Sequence, residues 1–201
     1  MIVNRHYRFV YVAAPRTAST STRAWLSQLA GSEAFSDQHS TDLPTACRGY
    51  FVFGTLRDPA ERLLSLWRYH WRNDPDRRPL DRYLADLPTM HPFHSRSQMS
   101  YYQEVDLIIP VGPELERFLL DRVFTARGYR PQFSKRLPRL NATLADPAGV
   151  RTAVAERACQ VWPDDWDQWT RHSSAASSDG PASSDGPASL APLLPSSSPP
   201  P

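Results

Sequence analysis

The sequence predicts an α/β fold built on a parallel sheet, and three strand–helix units carry that expectation. Residues 9–13, 50–57 and 105–111 are short runs of apolar and β-favouring side chains, and a segment of helical periodicity follows each. Strand–helix alternation three times over argues parallel pairing, since each helix carries the chain back across the sheet. Ligands in such folds sit at the carboxyl ends of the strands, where Arg16 and Arg57 lie.

The first unit is "FVYVAAPRTASTSTRAWLSQLAG". A five-residue strand ends at Ala13, the chain turns at Ala14-Pro15, and Arg16 introduces the hydroxyls of Thr17, Ser19, Thr20, Ser21 and Thr22. Thr22, Trp25, Leu26 and Leu29 then fall at i, i+3, i+4 and i+7, a helical stripe that Gly31 can end as C′. A polar, turn-rich stretch, "EAFSDQHSTDLPTACRGY", holds His39 near its centre.

The second unit starts with "YFVFGTLR", apolar nearly throughout and so expected to be buried on both faces. "DPAERLLSLWRYHW" opens a helix with Asp58 as N-cap and Pro59 at N1, where the missing N–H costs nothing. Ala60, Leu63, Leu64, Trp67 and Trp71 form its apolar stripe. "RNDPDRRP" reads as a loop, "LDRYLADL" as a short helix and "HPFHSRSQMSYYQE" as a polar connection with His91 and His94.

The third strand, "VDLIIPV", precedes the helix "PELERFLLDRVFTARG", whose Leu115, Phe118, Leu119 and Val123 face inward and whose end is marked by Gly128. A basic stretch, "YRPQFSKRLPRLNAT", leads to the helix "PAGVRTAVAERACQVW", and "PDDWDQW" caps the fold. Trp67, Trp71, Trp162, Trp166 and Trp169 read as packing residues.

Composition divides the chain into residues 1–172, a folded domain, and 173–201, a tail almost wholly of Ser, Ala, Pro, Gly and Asp in which "SSDGPA" occurs twice and which carries seven of the 20 prolines. The tail has too little apolar surface to offset its ordering entropy and is expected to be disordered. Its only charges are Asp179 and Asp185, so residues 1–172 hold 23 basic and 19 acidic side chains. All the bases but Lys135 are Arg, which suits bidentate oxyanion binding, although a compositional bias accounts for most of them equally well.

The arginines are scattered among acids rather than gathered with aromatics on one face, which argues against a nucleic-acid partner. Cys47 and Cys159 have no metal-ligand spacing and read as reduced thiols, and no metal is expected. No run of 18 apolar residues occurs and residues 1–8 are polar, so no membrane span is expected and a cytoplasmic location is. Oligomeric state is left open.

The start of a helix after a strand offers unpaired N–H groups and partial positive charge, a site for phosphate or sulfate. Arg16 and the hydroxyls of Thr17, Ser19, Thr20 and Ser21 add to it; an ordinary Ser/Thr-capped helix is the competing reading. A nucleotide-triphosphate P-loop fails, because it needs G-x-x-x-x-G-K-[ST] and no Gly or Lys occurs between Ala13 and Leu29. "RDPAERLLS" supplies a second anion site on the next strand, from Arg57 and Ser65, with Arg62 read as an ion-pair partner of Asp58 or Glu61. Two such sites on neighbouring strands suggest one ligand with phosphates at both ends.

With these residues the chain resembles the sulfotransferases that use 3′-phosphoadenosine 5′-phosphosulfate (PAPS). Their first loop, P-[KR]-[TS]-[AG]-[ST]-[TS], looks like "PRTASTS", and their R-D-P-x-x-R-x-x-S motif is met by Arg57, Asp58, Pro59, Arg62 and Ser65. The resemblance is closest to the carbohydrate branch, the heparan sulfate and uronyl 2-O-sulfotransferases, where a His and a Thr follow at the place of His39 and Thr41. "IIPVGPELERF" and "KRLPRLNAT" look like that branch's later strand–turn–helix and nucleotide-covering segment.

The resemblance implies a three-layer sandwich, a central parallel sheet flanked by helices, of the P-loop-NTPase-like sulfotransferase fold, with residues 1–172 as the catalytic domain. It implies PAPS as donor and a hydroxyl acceptor, on a saccharide by branch. Arg16 with the N–H groups of Thr17, Ala18, Ser19 and Thr20, and with Ser21 nearby, would bind the 5′-phosphosulfate. Arg57 and Ser65 would bind the 3′-phosphate, and His39 would be the general base. Arg16 stands where the carbohydrate branch has Lys, so it can stabilise charge but cannot donate a proton. A P-loop-like kinase and a degenerate protein that binds 3′,5′-ADP without turnover are the alternatives.

Overall fold

The computed structural model describes residues 1–35, 39–71, 79–90, 94, 96–138 and 150–178, with the side chains of 71, 87–90, 150 and 174–178 left undescribed. Five strands form one sheet: β1 Ile2–Asn4, β2 Phe9–Val12, β3 Ser32–Ala34, β4 Phe51–Leu56 and β5 Leu107–Pro110, in the order β3-β1-β2-β4-β5. The three anticipated strands are β2, β4 and β5, and they are parallel, with Phe9 opposite Phe51 and Phe53 opposite Leu107. The sheet as a whole is mixed, which corrects the wholly parallel expectation. β1 pairs antiparallel with β2 and with β3, in registers that set Val3 opposite Val10 and Glu33.

The added strands have three residues each, too short for a period of two to register. Long-range bonds hold them instead. Asn4 Nδ2 donates to Ala30 O (3.1 Å) and to Ser32 Oγ (2.8 Å), and Tyr7 N donates to Asn4 Oδ1 (2.7 Å) to close the β1–β2 turn.

α1, Ser19–Leu26, and α4, Leu115–Phe118, cover one face of the sheet; α4 runs on through a π-helical turn, Leu119–Phe124. Trp25, Leu26 and Leu29 of the first stripe and Leu115, Leu119 and Val123 of the later one are buried there with Phe9, Tyr11 and Phe53. Gly128 ends this helical run with φ +78°, as its place in the sequence predicts. Gly31 is also left-handed, at +78°, but it does not cap α1, which ends five residues earlier in two tight turns.

On the opposite face, among the described residues, Val10, Val12 and Val52 are covered by the 3-10 turns Thr45–Cys47 and Met99–Tyr101 with Tyr102. The remaining helices, α2 Pro59–Trp71, α3 Leu80–Met90, α5 Val150–Val161 and α6 Pro163–Ser178, gather in a separate cluster around Leu63, Leu64, Leu66, Tyr83, Val154 and Trp162. α6 reaches Ser178, past residue 173, where composition placed the start of the tail, and the Trp71 side chain and His91 lie outside the described residues.

Asp58 caps α2 as anticipated, its Oδ1 accepting from Ala60 N (2.8 Å) and Glu61 N (3.3 Å). Parallel pairing of Val12 with Gly54 brings the turn after β2 alongside the end of β4. That adjacency builds the site.

Candidate functional site

The loop that joins β2 to α1 runs from Ala13 to Ala18 and turns without a glycine. Arg16 and Ala18 hold φ of +66° and +58°, a left-handed conformation that costs a non-glycine residue about 1–3 kcal/mol. Thr17 fastens the loop between them: its Oγ1 donates to Ala14 O (2.9 Å), and Thr55 Oγ1 donates to Thr17 O (2.8 Å). Tyr11 OH meets Thr55 Oγ1 at 2.8 Å, and Tyr102 OH donates to Thr55 O at 2.5 Å.

So the Thr17 hydroxyl is buried and points inward, where the sequence reading counted it as a ligand donor. The N-cap of α1 is Ala18, with no side-chain cap bond, so the ordinary Ser/Thr-capped helix is not what forms. Ser19 and Ser21 are buried, and Thr20 is exposed at the first turn.

The second motif closes on the first. Arg16 donates from Nε (3.0 Å) and Nη2 (2.9 Å) to Ser65 Oγ, and its guanidinium lies over the Tyr69 ring, 4.9 Å from the centroid. Arg57 Nη1 reaches Arg16 O at 3.4 Å, and Nη2 pairs with Glu61 at 3.4 Å. Glu61 also takes Arg151 of α5 at 2.6 Å, a cation that sequence reading did not single out. Burial pulls the Arg57 guanidinium below its ordinary value, opposed by Glu61. Arg16 thus touches both Ser65 and Arg57, although the sequence grouped Ser65 with Arg57 and the contact seen is with Arg16.

A model of the sulfotransferase family matches residues 1–104, which spans both loops. The chain belongs to the sulfotransferase family. No curated protein and no solved structure matches it. Sulfuryl transfer is the activity of this family, and Arg16, Arg57 and Ser65 all lie within the matched residues.

Sequence reasoning misplaced Arg62. In this sulfotransferase it is fully buried and pairs with Asp165 of α6 at 3.4 Å, not with Asp58 or Glu61. Its Nε donates to Pro15 O (3.1 Å), its Nη2 to Arg96 O (2.9 Å) and His94 O (3.3 Å), and its guanidinium lies 4.4 Å from the Trp162 ring centroid. A signal for this existed, since Arg62, Ser65, Leu66 and Tyr69 are themselves spaced i, i+3, i+4, i+7. Asp165, 103 residues away, gave none.

His39 is half-buried, and its Nδ1 is bonded to Ala13 O. A carbonyl can only accept, so Nδ1 carries a proton, and in the neutral ring the lone pair is on Nε2. His94, read as an ordinary loop residue, joins a polar chain: its Nδ1 lies 2.9 Å from His70 Nε2, and His70 Nδ1 lies 2.6 Å from Tyr83 OH. Of the basic stretch, Phe133 stacks on Trp25 at 3.7 Å and Lys135 O accepts from Trp25 Nε1 (3.1 Å); residues 139–143 lie outside the described residues. Below the second face lies a cavity of about 570 Å³, lined by Val12, Thr41, Arg48, Tyr50 and Glu104 among others. Among the described residues, no helix is long and apolar enough to cross a membrane.

Proposed function

We propose that this chain transfers a sulfuryl group from PAPS to a hydroxyl of a saccharide. PAPS supplies an activated sulfuryl group whose sulfur an acceptor oxygen can attack as the bond to the 5′-phosphate oxygen breaks. Arg16 and the N–H groups from Thr17 to Thr20, with Ser21, hold the 5′-phosphosulfate, and Arg57 holds the 3′-phosphate. Ser65 accepts from Arg16 and so orients it, as well as serving the second site. Nε2 of His39 takes the proton from the acceptor hydroxyl as the new O–S bond forms. Arg16 offsets the charge that grows on the departing phosphate; it cannot return a proton to it.

One observation carries the reading: the two family loops meet, Arg57 Nη1 to Arg16 O at 3.4 Å, so a single bisphosphorylated nucleoside can touch both. Left-handed backbone at Arg16 and Ala18, just before the start of α1, supports an oxyanion as the loop's ligand. The acceptor class rests on the resemblance to the carbohydrate branch and on the hydroxyl and charged groups lining the cavity near Thr41. Arg16 in place of Lys favours a second reading, a protein that binds 3′,5′-ADP and does not turn over.

Thermal shift separates these. 3′,5′-ADP should raise the melting temperature and ATP–Mg²⁺ should not. Stabilisation by ATP–Mg²⁺ alone would overturn the proposal in favour of a kinase. Binding without sulfation of any saccharide, by radiolabelled transfer assay, would support the second reading.

A further inference from the structure

We infer that Asp165 and Gln98 are positioning residues for the nucleotide site, so that α6, outside the family-matched residues 1–104, is a working part of it. The inference rests on the proposed role of Arg57. Asp165 is fully buried in the first turn of α6, and its carboxylate collects donors from the segment 97–99 and from Arg62 of α2. Oδ1 accepts from Ser97 Oγ (2.5 Å) and Met99 N (2.9 Å); Oδ2 accepts from Gln98 N (2.8 Å), Gln98 Nε2 (3.3 Å) and Arg62 Nη1 (3.4 Å).

Gln98 passes this on. It too is fully buried, and its amide grips the backbone of Arg57 from both sides: Oε1 accepts from Arg57 N at 2.9 Å and Nε2 donates to Arg57 O at 2.9 Å. Arg62, the other partner of Asp165, grips the first loop through Pro15 O. One carboxylate therefore fixes the end of β4 where Arg57 departs and the turn that sets Arg16.

This arrangement has a function beyond holding the fold. A side chain as long as Arg57 can swing through several rotamers, and its guanidinium meets a phosphate only if its backbone is pinned where β4 ends. Two hydrogen bonds from one rigid, buried amide supply that pin, and the buried charge on Asp165 fixes the amide's orientation. Loss of the pin acts chiefly on the 3′-phosphate, because the Ala13–Ala18 loop, though touched by Arg57 at Arg16 O, has a second fastening through Thr17 and Thr55.

Asp165→Ala leaves Arg62 charged and buried with no counter-charge from α6 and endangers the fold, so the test uses Gln98→Met in the full chain. Calorimetric titrations with 3′,5′-ADP and with 5′-AMP, which lacks the 3′-phosphate, read the effect. Affinity for 3′,5′-ADP should fall by about ten-fold, as for an outer-shell partner, while that for 5′-AMP stays within about two-fold. Ser97→Ala, which removes one donor to Asp165 from a half-buried hydroxyl, is the gentler second variant, with an expected selective loss of about three-fold. Equal losses for both ligands, or none for either in both variants, would overturn the positioning role. Failure of the unmodified chain to bind 3′,5′-ADP would instead overturn the reading of the site.

Discussion

Replacing Arg62 with Met tests the buried charge pair that underlies the site. Met keeps most of the side-chain length and removes the guanidinium, so packing against Trp162 is largely kept while three carbonyl partners and one ion pair are lost. Removing one partner of a buried pair typically costs about 3–5 kcal/mol. The loss should lie at the lower end, about 3 kcal/mol, because Asp165 retains its bonds from Ser97, Gln98 and Met99. Asp165→Ala should cost more, roughly 5 kcal/mol, since it strands Arg62 with no counter-ion and orphans the N–H groups of Gln98 and Met99. Urea unfolding measures both, with an unchanged m-value needed for the comparison. If Arg62→Met falls within about 1 kcal/mol of the parent, or if Asp165→Ala is the milder of the two, the pair does not hold the loops as argued.

Three other substitutions follow from the same geometry. Gly54→Ala would place Cβ 2.4 Å from Cε1 of the Tyr102 ring, which is anchored by its bond to Thr55 O; roughly 1–3 kcal/mol of destabilisation is expected in a urea melt. Burial pushes the Tyr11 hydroxyl up to about 12 from 10, so the unfolded chain releases this proton first and stability is lost as pH rises from about 10 to about 12. Stability of Tyr11→Phe against pH should therefore fall less steeply over that window than the parent's, and an identical slope would refute the assignment. His39→Gln should keep 3′,5′-ADP affinity within about two-fold and lower kcat by about 10²–10⁴ for a saccharide acceptor; undiminished turnover would move the base elsewhere.

Which parts of this molecule could be read from the chain follows from how local their causes are. β2, β4 and β5 announce themselves as uninterrupted apolar runs because both of their faces are covered, and the Asp58-Pro59 start of α2 needs only its own first turn. β1 and β3 exist through bonds such as Asn4 to Ser32, and three-residue strands carry no periodicity of their own. Within the site, "PRTASTS" and "RDPAERLLS" locate the two loops, but the inward turn of the Thr17 hydroxyl depends on Thr55 of another strand. Arg62 reads from the sequence as an ion-pair partner of its neighbours Asp58 or Glu61, because charged residues are seldom fully buried. The carboxylate that permits its burial comes from α6, and no spacing in the sequence links the two.

The central claim is that one nucleotide lies across both loops. Calorimetry of 3′,5′-ADP, 5′-AMP and adenosine 3′-phosphate on Arg16→Ala and Arg57→Ala measures it directly. The account predicts one 3′,5′-ADP per chain, weakened by either substitution, with Arg16→Ala impairing 5′-AMP and sparing adenosine 3′-phosphate, and Arg57→Ala doing the reverse. Two bound nucleotides per chain, or losses that ignore which phosphate the ligand carries, would contradict it.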